Sequence, residues 1–144
     1  MRTEPFRVRM HVRVYELDQQ RHLGGAGYLQ YADHSRFACM QSAGISVDEL
    51  LAAGIGPVNL ETTVRYRREL RAGDEVDVSC RWSWGEGKTY RVEHVLWRPD
   101  GDVAAEVTHV SGLLDLRTRR LLPDPKGELR GRAARSTLLG IPAR

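Results

Sequence analysis

A chain of 144 residues is long enough for one domain that buries a hydrophobic core without help from disulfides. The net charge is +3. The sequence has no zinc-ligand spacing, no helix-turn-helix pattern and no RNA-binding aromatic motif, which argues against a nucleic-acid-binding protein. No apolar run approaches the ~20 residues of a membrane span, and the first residues lack signal-peptide character, so we expect a cytoplasmic protein. Cys39 and Cys80 have no metal spacing and are expected to be buried free thiols.

The N-terminal segment predicts a strand followed by a glycine-rich loop. From Phe6 to Val14, apolar residues alternate with polar ones, and a period of two is typical of a strand with one buried face. Residues 18–27 contain three glycines and few apolar side chains, which indicates a loop.

Two helices are expected next. From Gly27 to Ala43 no helix breaker occurs, and apolar side chains lie on most sides, as is typical of a helix buried in a core. Gly44 is expected to end this helix. The segment Ser46–Glu49 has the pattern of a capping box for a second, short helix, which Gly54 would stop.

The remaining pattern predicts four strands joined by tight turns, at residues 58–66, 76–84, 90–96 and 103–116. One apolar helix and one antiparallel sheet have a simple arrangement, in which the sheet curls around the helix. We therefore expect an α+β fold with one curved antiparallel sheet wrapped around a central buried helix.

The predicted domain covers residues 1–117, and residues 118–144 are expected to form a basic, proline-containing tail with little order. The predicted sheet has a long exposed edge, and its helix is incompletely covered. A second copy of the chain would cover both, so we expect a homodimer or a dimer of dimers.

The segment from Val14 to Tyr31 carries most of the information about function. It places Asp18 where the first strand ends, His22 four residues later, and Tyr28 where the helix opens. This spacing resembles the signature of the 4-hydroxybenzoyl-CoA thioesterase family, whose members have the hot-dog fold. The likeness extends over about residues 6–117, including later turn sequences at Gly73–Asp74 and Gly87–Tyr90.

Four residues of the segment differ from the family pattern, and one of them is Gly27, which is unusual just before the tyrosine. Arg21 stands where the family has glycine, and Gly24 and Gly25 replace two asparagines. The loop keeps its acid and its histidine and lacks two side-chain amides.

The resemblance implies a catalytic role for Asp18, His22 and Gly25. Thioester hydrolysis needs a nucleophile or base beside the carbonyl and positive potential where the oxyanion develops. Asp18 would attack the thioester or deprotonate a water, and the Gly25 N–H at the helix start would bind the oxyanion. His22 would orient Asp18, hold the water or bind the carbonyl. A lone aspartate before a helix is usually a turn former or an N-cap, so only the joint spacing favours catalysis.

Five further residues are predicted to contact the substrate: Tyr28, Asn59, Arg65, Arg67 and Lys88. Asn59 opens a strand that is expected to face the helix start across a dimer. Arg65, Arg67 and Lys88 suit the phosphates of coenzyme A or an acidic carrier protein, although a solvated strand face explains these charges equally well.

The sequence thus predicts a thioesterase that acts on an acyl-CoA or an acyl group bound to a carrier protein, with no metal and no organic cofactor. A second hypothesis, motivated by the two missing asparagines, is a protein that binds acyl thioesters or a synthase partner without hydrolysis. A hot-dog dehydratase is a third, but its His-Phe-Pro-Gly-like motif is absent. Asp33 is a weaker catalytic candidate, because a surface or interface pairing explains it as well, and His94 and His109 are expected to be core or interface residues.

Overall fold

Up to residue 115 the strands and helices follow one another as the sequence predicts, in a computed structural model that describes residues 5–143. The expectation that the first residues are not a signal peptide concerns residues 1–4 above all, which lie outside the described part of the chain. The elements are β1 (Phe6–His11), α1 (Gly25–Ala43), α2 (Val47–Ala52), β2 (Ile55–Tyr66), β3 (Glu75–Trp84), β4 (Thr89–Trp97), β5 (Val103–Asp115), β6 (Arg120–Leu121) and α3 (Pro125–Arg132). Two 3₁₀ turns, Val14–Glu16 and Ser136–Leu139, complete them.

The strands form one antiparallel sheet in the order β1-β3-β4-β5-β2, with β6 paired to the end of β5. β2 therefore lies at an edge, and it carries a bulge between Asn59 and Glu61. The sheet curls around α1, whose Tyr31, Ala32 and Cys39 are fully buried. This arrangement confirms the predicted α+β hot-dog fold.

The core consists of two apolar clusters that follow the two halves of α1. Tyr28 and Tyr31 belong to the cluster around the N-terminal half, and Cys39 and Met40 belong to the cluster around the C-terminal half. Both predicted free cysteines are buried, and both are unpaired. Among the residues that the structure describes, no helix has the length and apolar character needed to cross a membrane.

β1 is shorter than the alternating pattern predicts. It ends at His11, and Val12 then exchanges backbone hydrogen bonds with the turn before β3: its N–H donates to the Asp74 carbonyl, and its carbonyl accepts from Gly73 N–H. The chain next enters the first 3₁₀ turn, where Val14 is 70% exposed. Alternation therefore overestimates the strand, because the partner strand ends before the pattern does.

The prediction of a poorly ordered tail is wrong for residues 118–143. α3 begins with Asp124, whose side chain accepts from Gly127 N–H, and Pro125 follows at the first helical position. Leu129, Leu139 and Ile141 are fully buried in the cluster around the C-terminal half of α1. The sequence did not reveal this packing, because the segment is basic and its three buried apolar residues are too widely spaced to give a periodic pattern.

The packing of the C-terminal segment leads to a stability prediction. Leu139→Ala removes a fully buried side chain and is expected to lower the free energy of unfolding by about 2–5 kcal/mol. Leu51→Ala on α2 is the matched control, since Leu51 is 49% exposed and its truncation should change stability by about 0.5 kcal/mol or less. Urea unfolding measures both. Equal effects of the two substitutions would show that the segment does not contribute to the core.

Candidate active site

A groove of about 350 Å³ opens where α1 begins. The groove is lined by residues of the loop, the helix start and the end of β2: Asp18, His22, Leu23, Gly25, Tyr28, Tyr66, Arg67, Arg68 and Glu69. It thus brings together all three predicted catalytic residues and two of the five predicted substrate contacts.

The loop that carries Asp18 is held by its own hydrogen bonds. Oδ1 of Asp18 accepts from the N–H groups of Gln20 (2.8 Å) and His22 (3.2 Å), and the Asp18 N–H donates to the His22 carbonyl (2.7 Å). Oδ2 of Asp18 has no hydrogen-bond partner among the described residues. Asp18 is therefore a turn former through one oxygen, and its exposed side chain also lines the groove.

Arg21 occupies a strained backbone position in this loop. Its φ of 64° lies in the left-handed region, which glycine adopts without cost and other residues avoid. The geometry explains why a glycine suits this position in the resembling family. The turn forms with arginine at this position as well, because the Arg21 N–H donates to the Asp18 carbonyl at 3.1 Å.

Glu16 anchors the loop to the helix. The hydroxyl of the fully buried Tyr31 donates to Oε1 of Glu16 at 2.6 Å, and the Glu16 carbonyl accepts from Gly24 N–H at 3.1 Å. Burial, and next the Glu16 carboxylate, raise the pKa of Tyr31. On the far side, Leu23 N–H donates to the Leu70 carbonyl at 2.7 Å. The position of Asp18 relative to α1 is therefore fixed at both ends of the loop.

The start of α1 supplies unpaired hydrogen-bond donors. Gly24 caps the helix in an extended conformation, and its carbonyl accepts from Gly27 N–H at 2.9 Å. The N–H groups of Gly25 and Ala26 find no acceptor among the described residues, as expected for a first helical turn. A Cβ at Gly27 would lie 2.5 Å from Cδ1 of Leu23, so a larger residue there would require the Leu23 side chain to shift.

Two tyrosines form a wall of the groove. The rings of Tyr28 and Tyr66 meet edge to face, with centroids 5.1 Å apart. Burial is the main cause that raises the pKa of Tyr28. A Cβ at Gly25 would lie 3.4 Å from the Tyr66 hydroxyl, so the end of β2 approaches the helix start closely.

The basic residues at the rim are partly paired with acids. Nε of Arg67 donates to Oε1 of Glu106 at 3.0 Å, and Arg68 lies 3.9 Å from a carboxylate oxygen of Asp102. A backbone hydrogen bond at Glu69, and then the nearby Arg71, hold the pKa of the Glu69 carboxyl below its usual value. These contacts leave the charges of the arginines at the rim largely balanced by carboxylates.

Three predicted substrate contacts lie away from the groove. Asn59 is in β2, where its Oδ1 accepts from Arg36 and Ser111. Arg65 is exposed opposite Glu106 of β5. Lys88 is in the hairpin between β3 and β4, and it does not line the groove.

Sequence reasoning did not single out Tyr66 and Glu69, although both line the groove. Tyr66 ends an alternating strand and Glu69 follows it. The only sequence signal is therefore their nearness to Arg65, Arg67 and Arg68. Their place beside α1 depends on the curl of the sheet. Within residues 5–143, no three His, Cys, Asp or Glu side chains come together in a way that could hold a metal ion.

Comparisons with known proteins identify a family and several relatives that this chain resembles. A family model of the thioesterase-like superfamily matches residues 12–132. The acyl-acyl carrier protein thioesterase ATL3 of Arabidopsis thaliana is 30% identical over 113 residues, which are 78% of this chain and 60% of the plant protein. The L-carnitine dehydrogenase/betainyl-CoA thioesterase of Agrobacterium fabrum is 28% identical over 120 residues, which are 76% of this chain and 25% of that protein. The chain thus spans less than two thirds of either relative.

A solved structure shows the same fold at similar identity. The probable thioesterase YbaW from Escherichia coli superposes with a TM-score of 0.77 at 26% identity, and the match covers 88% of this chain and 95% of the other. The groove, the loop that carries Asp18 and the helix start all lie within the residues that the family model matches. The chain therefore belongs to the thioesterase-like superfamily and has its hot-dog fold.

Proposed function

We propose that the protein hydrolyses an acyl thioester at the groove where α1 begins. The observation that carries the proposal is the presence, in one groove, of the Asp18 carboxylate and the start of α1, where the N–H groups of Gly25 and Ala26 are unpaired. A thioester carbonyl placed there would meet hydrogen-bond donors on one side and a carboxylate on the other.

Asp18 is the proposed nucleophile or general base. In the first role the carboxylate attacks the carbonyl carbon, the thiolate leaves and takes up a proton, and water then hydrolyses the resulting anhydride. In the second role the carboxylate accepts a proton from the water that attacks directly. Gly25 N–H, supported by the positive end of the α1 dipole, binds the developing oxyanion in both. His22 is proposed to position the water or the carbonyl.

The substrate class follows from the two relatives, one of which is named for acyl carrier protein thioesters and the other for a coenzyme A thioester. We propose that this chain takes an acyl group on one of these two carriers. Arg67 and Arg68 at the rim suit the phosphate groups of coenzyme A and equally suit acidic side chains of a carrier protein.

A second copy of the chain is proposed to complete the site. β2 is an edge strand, and its residues 59–63 are exposed on both faces. Pairing of β2 with its counterpart in another copy would cover this edge. Asn59 would then approach the helix start of the partner.

The experiment that tests the proposal is a thiol-release assay. Purified protein is expected to release free thiol from at least one member of a series of acyl-CoA and acyl-pantetheine substrates of increasing chain length. Ellman's reagent detects the thiol, and boiled protein is the control.

Non-hydrolytic binding is the alternative function. It is favoured by one observation, the engagement of Oδ1 of Asp18 in the loop's own turn. Thermal stabilisation by acyl thioesters without any thiol release would support binding alone.

A further inference from the structure

Five buried polar side chains separate the two apolar clusters of the core. They are all the buried polar side chains among the described residues: Ser35, Ser79, His94, His109 and Ser111. Each stands between members of the two clusters; Ser79, for example, lies between Val78 of one and Cys80 of the other. We refer to these five residues as the polar belt. Apolar residues would serve packing better at such positions.

The belt has hydrogen-bonding capacity that the protein does not use. Nδ1 of His94 donates to the Ser79 carbonyl at 2.8 Å, and Nδ1 of His109 lies 2.8 Å from Oγ1 of Thr62. The other ring nitrogen, Nε2, is buried in both histidines and has no hydrogen-bond partner among the described residues. An unmet buried polar group costs about 1–3 kcal/mol, so two of them point to a role other than stability.

The belt reaches the surface between α1 and β2, at Arg36. Nη1 of Arg36 donates to Oδ1 of Asn59 (2.7 Å) and to Oγ of Ser111 (3.3 Å), and the Ser111 hydroxyl donates to the same Asn59 oxygen (2.8 Å). The Arg36 side chain is only 18% exposed. Two hydrogen bonds thus hold a guanidinium group in place at the edge of the core, and a third joins its two acceptors to each other.

Asp33 balances the charge of this arginine. Its Oδ1 lies 3.7 Å from Nη2 of Arg36 and 4.0 Å from the unpartnered Nε2 of His109. Asp33 is 59% exposed, while the His109 side chain is 2% exposed. We refer to the place where the belt reaches the surface as its mouth. It consists of the buried imidazole of His109, the guanidinium of Arg36 and the carboxylate of Asp33.

The mouth lies along α1 from the groove. Arg36 follows Gly25 by eleven residues, which places it about 20° around the helix and about 16 Å along it. β2 runs beside this face in the opposite direction, with Tyr66 near Gly25 and Asn59 at Arg36. An acyl chain that starts at the groove and follows α1 beside β2 would reach the mouth.

We propose that the mouth of the polar belt binds an oxygen atom carried by the acyl chain, such as a hydroxyl or oxo group, while the thioester lies at the start of α1. This inference rests on the proposed thioesterase function and adds the class of acyl group. The chemical class is an uncharged oxygen substituent, because the carboxylate of Asp33 already neutralises Arg36.

The groups that would bind this oxygen lack a full set of hydrogen-bond partners, and Nε2 of His109 is a donor in the tautomer whose Nδ1 accepts from the Thr62 hydroxyl. Nε and Nη2 of Arg36 make no hydrogen bond within the described residues, and Nε2 of His109 has none. Burial lowers the pKa of His109 to about 4, so the ring is neutral near pH 7 and adds no charge. A plain hydrocarbon chain would leave these groups unpaired, and this penalty favours the oxygen-bearing chain.

The test compares acyl-CoA pairs that differ only in one hydroxyl. Decanoyl-CoA is compared with hydroxydecanoyl-CoAs whose hydroxyl lies near the thioester, in mid-chain or at the far end, because only the far end of such a chain approaches a mouth about 16 Å from the helix start. The wild type is expected to prefer the member with the far-end hydroxyl by about tenfold or more in kcat/KM, and a preference confined to a hydroxyl near the thioester would contradict the inference. Arg36→Met should bring that ratio close to one. Arg91→Met, an exposed arginine of β4, is the matched control and should keep the ratio.

The outcomes separate this inference from the proposed function. Hydrolysis of plain and hydroxylated members at equal rates would overturn the inference and leave the thioesterase function in place. So would an Arg36→Met variant that lowers both rates together, because that is the effect of a structural role. If the wild type hydrolyses no probe, thermal shifts with the same chains attached through an uncleavable ketone test binding directly. Selective stabilisation by a hydroxylated probe, lost in Arg36→Met, would support the inference, and equal or absent stabilisation would overturn it.

Discussion

Replacing Asp18 by asparagine is expected to reduce thioester hydrolysis by about a thousandfold or more, because the amide is neither a nucleophile nor a base. The loop should survive the change. Asparagine keeps the Oδ1 atom that accepts from the N–H groups of Gln20 and His22, so the turn that shapes the groove remains. The measurement is kcat for thiol release, together with the thermal midpoint of both proteins.

Two further variants make this result specific. Asp48→Asn changes an exposed carboxylate of α2 remote from the groove and should leave kcat unaltered. Asp33→Asn tests the rival carboxylate on α1. If Asp18→Asn has the kcat of the wild type, or if only Asp33→Asn loses thiol-release activity, the reaction does not take place at the groove.

The parts of the site that a local pattern encodes could be predicted from the sequence. Asp18, His22 and Tyr28 lie within one stretch of eleven residues, and their spacing reflects a single loop that turns into a helix. The fold was predictable for a related reason, since an uninterrupted apolar helix and alternating strands leave few ways to bury their faces. The structure adds that Gly27 lies in close contact with the Leu23 side chain.

Features that depend on distant parts of the chain were not predictable. Tyr66 reaches the groove because β2 pairs with β5 and the sheet curls towards α1, and neither the register nor the curvature is visible in a local pattern. The polar belt has the same origin. Ser79, His94 and His109 stand on three different strands, and each looks like an isolated polar residue in the sequence. The bulge next to Asn59 likewise follows from pairing and not from composition.

The two buried histidines should make the folded state sensitive to mild acid. Burial is the main cause that lowers the pKa of His94 to about 3 and that of His109 to about 4, from an ordinary value of 6.5. Arg36 also lowers both values, while the Ser79 carbonyl raises the pKa of His94 and Asp33 raises that of His109.

Between the lowered and the ordinary pKa values, the unfolded chain takes up two protons that the folded chain does not bind. The contribution of the two histidines to the free energy of unfolding is therefore fully present above about pH 6.5, and it falls as the pH decreases towards 4. Two such groups contribute a slope of up to about 2.7 kcal/mol per pH unit, since each proton contributes about 1.4 kcal/mol per unit. Urea unfolding at intervals from pH 7.5 to about 4.5 measures this slope.

Substitutions assign the slope to its source. His94→Gln is expected to remove about 1.4 kcal/mol per pH unit of it, whatever its effect on stability at neutral pH, because the residue no longer titrates. His34→Gln changes an exposed histidine of α1 and should leave the slope as in the wild type. A stability that stays constant from pH 6.5 to 4.5, or a slope that His94→Gln does not alter, would mean that the imidazoles take up protons in the folded state. In that case water must reach the polar belt, and its unpartnered nitrogens would be solvated instead of being held ready for a substrate oxygen.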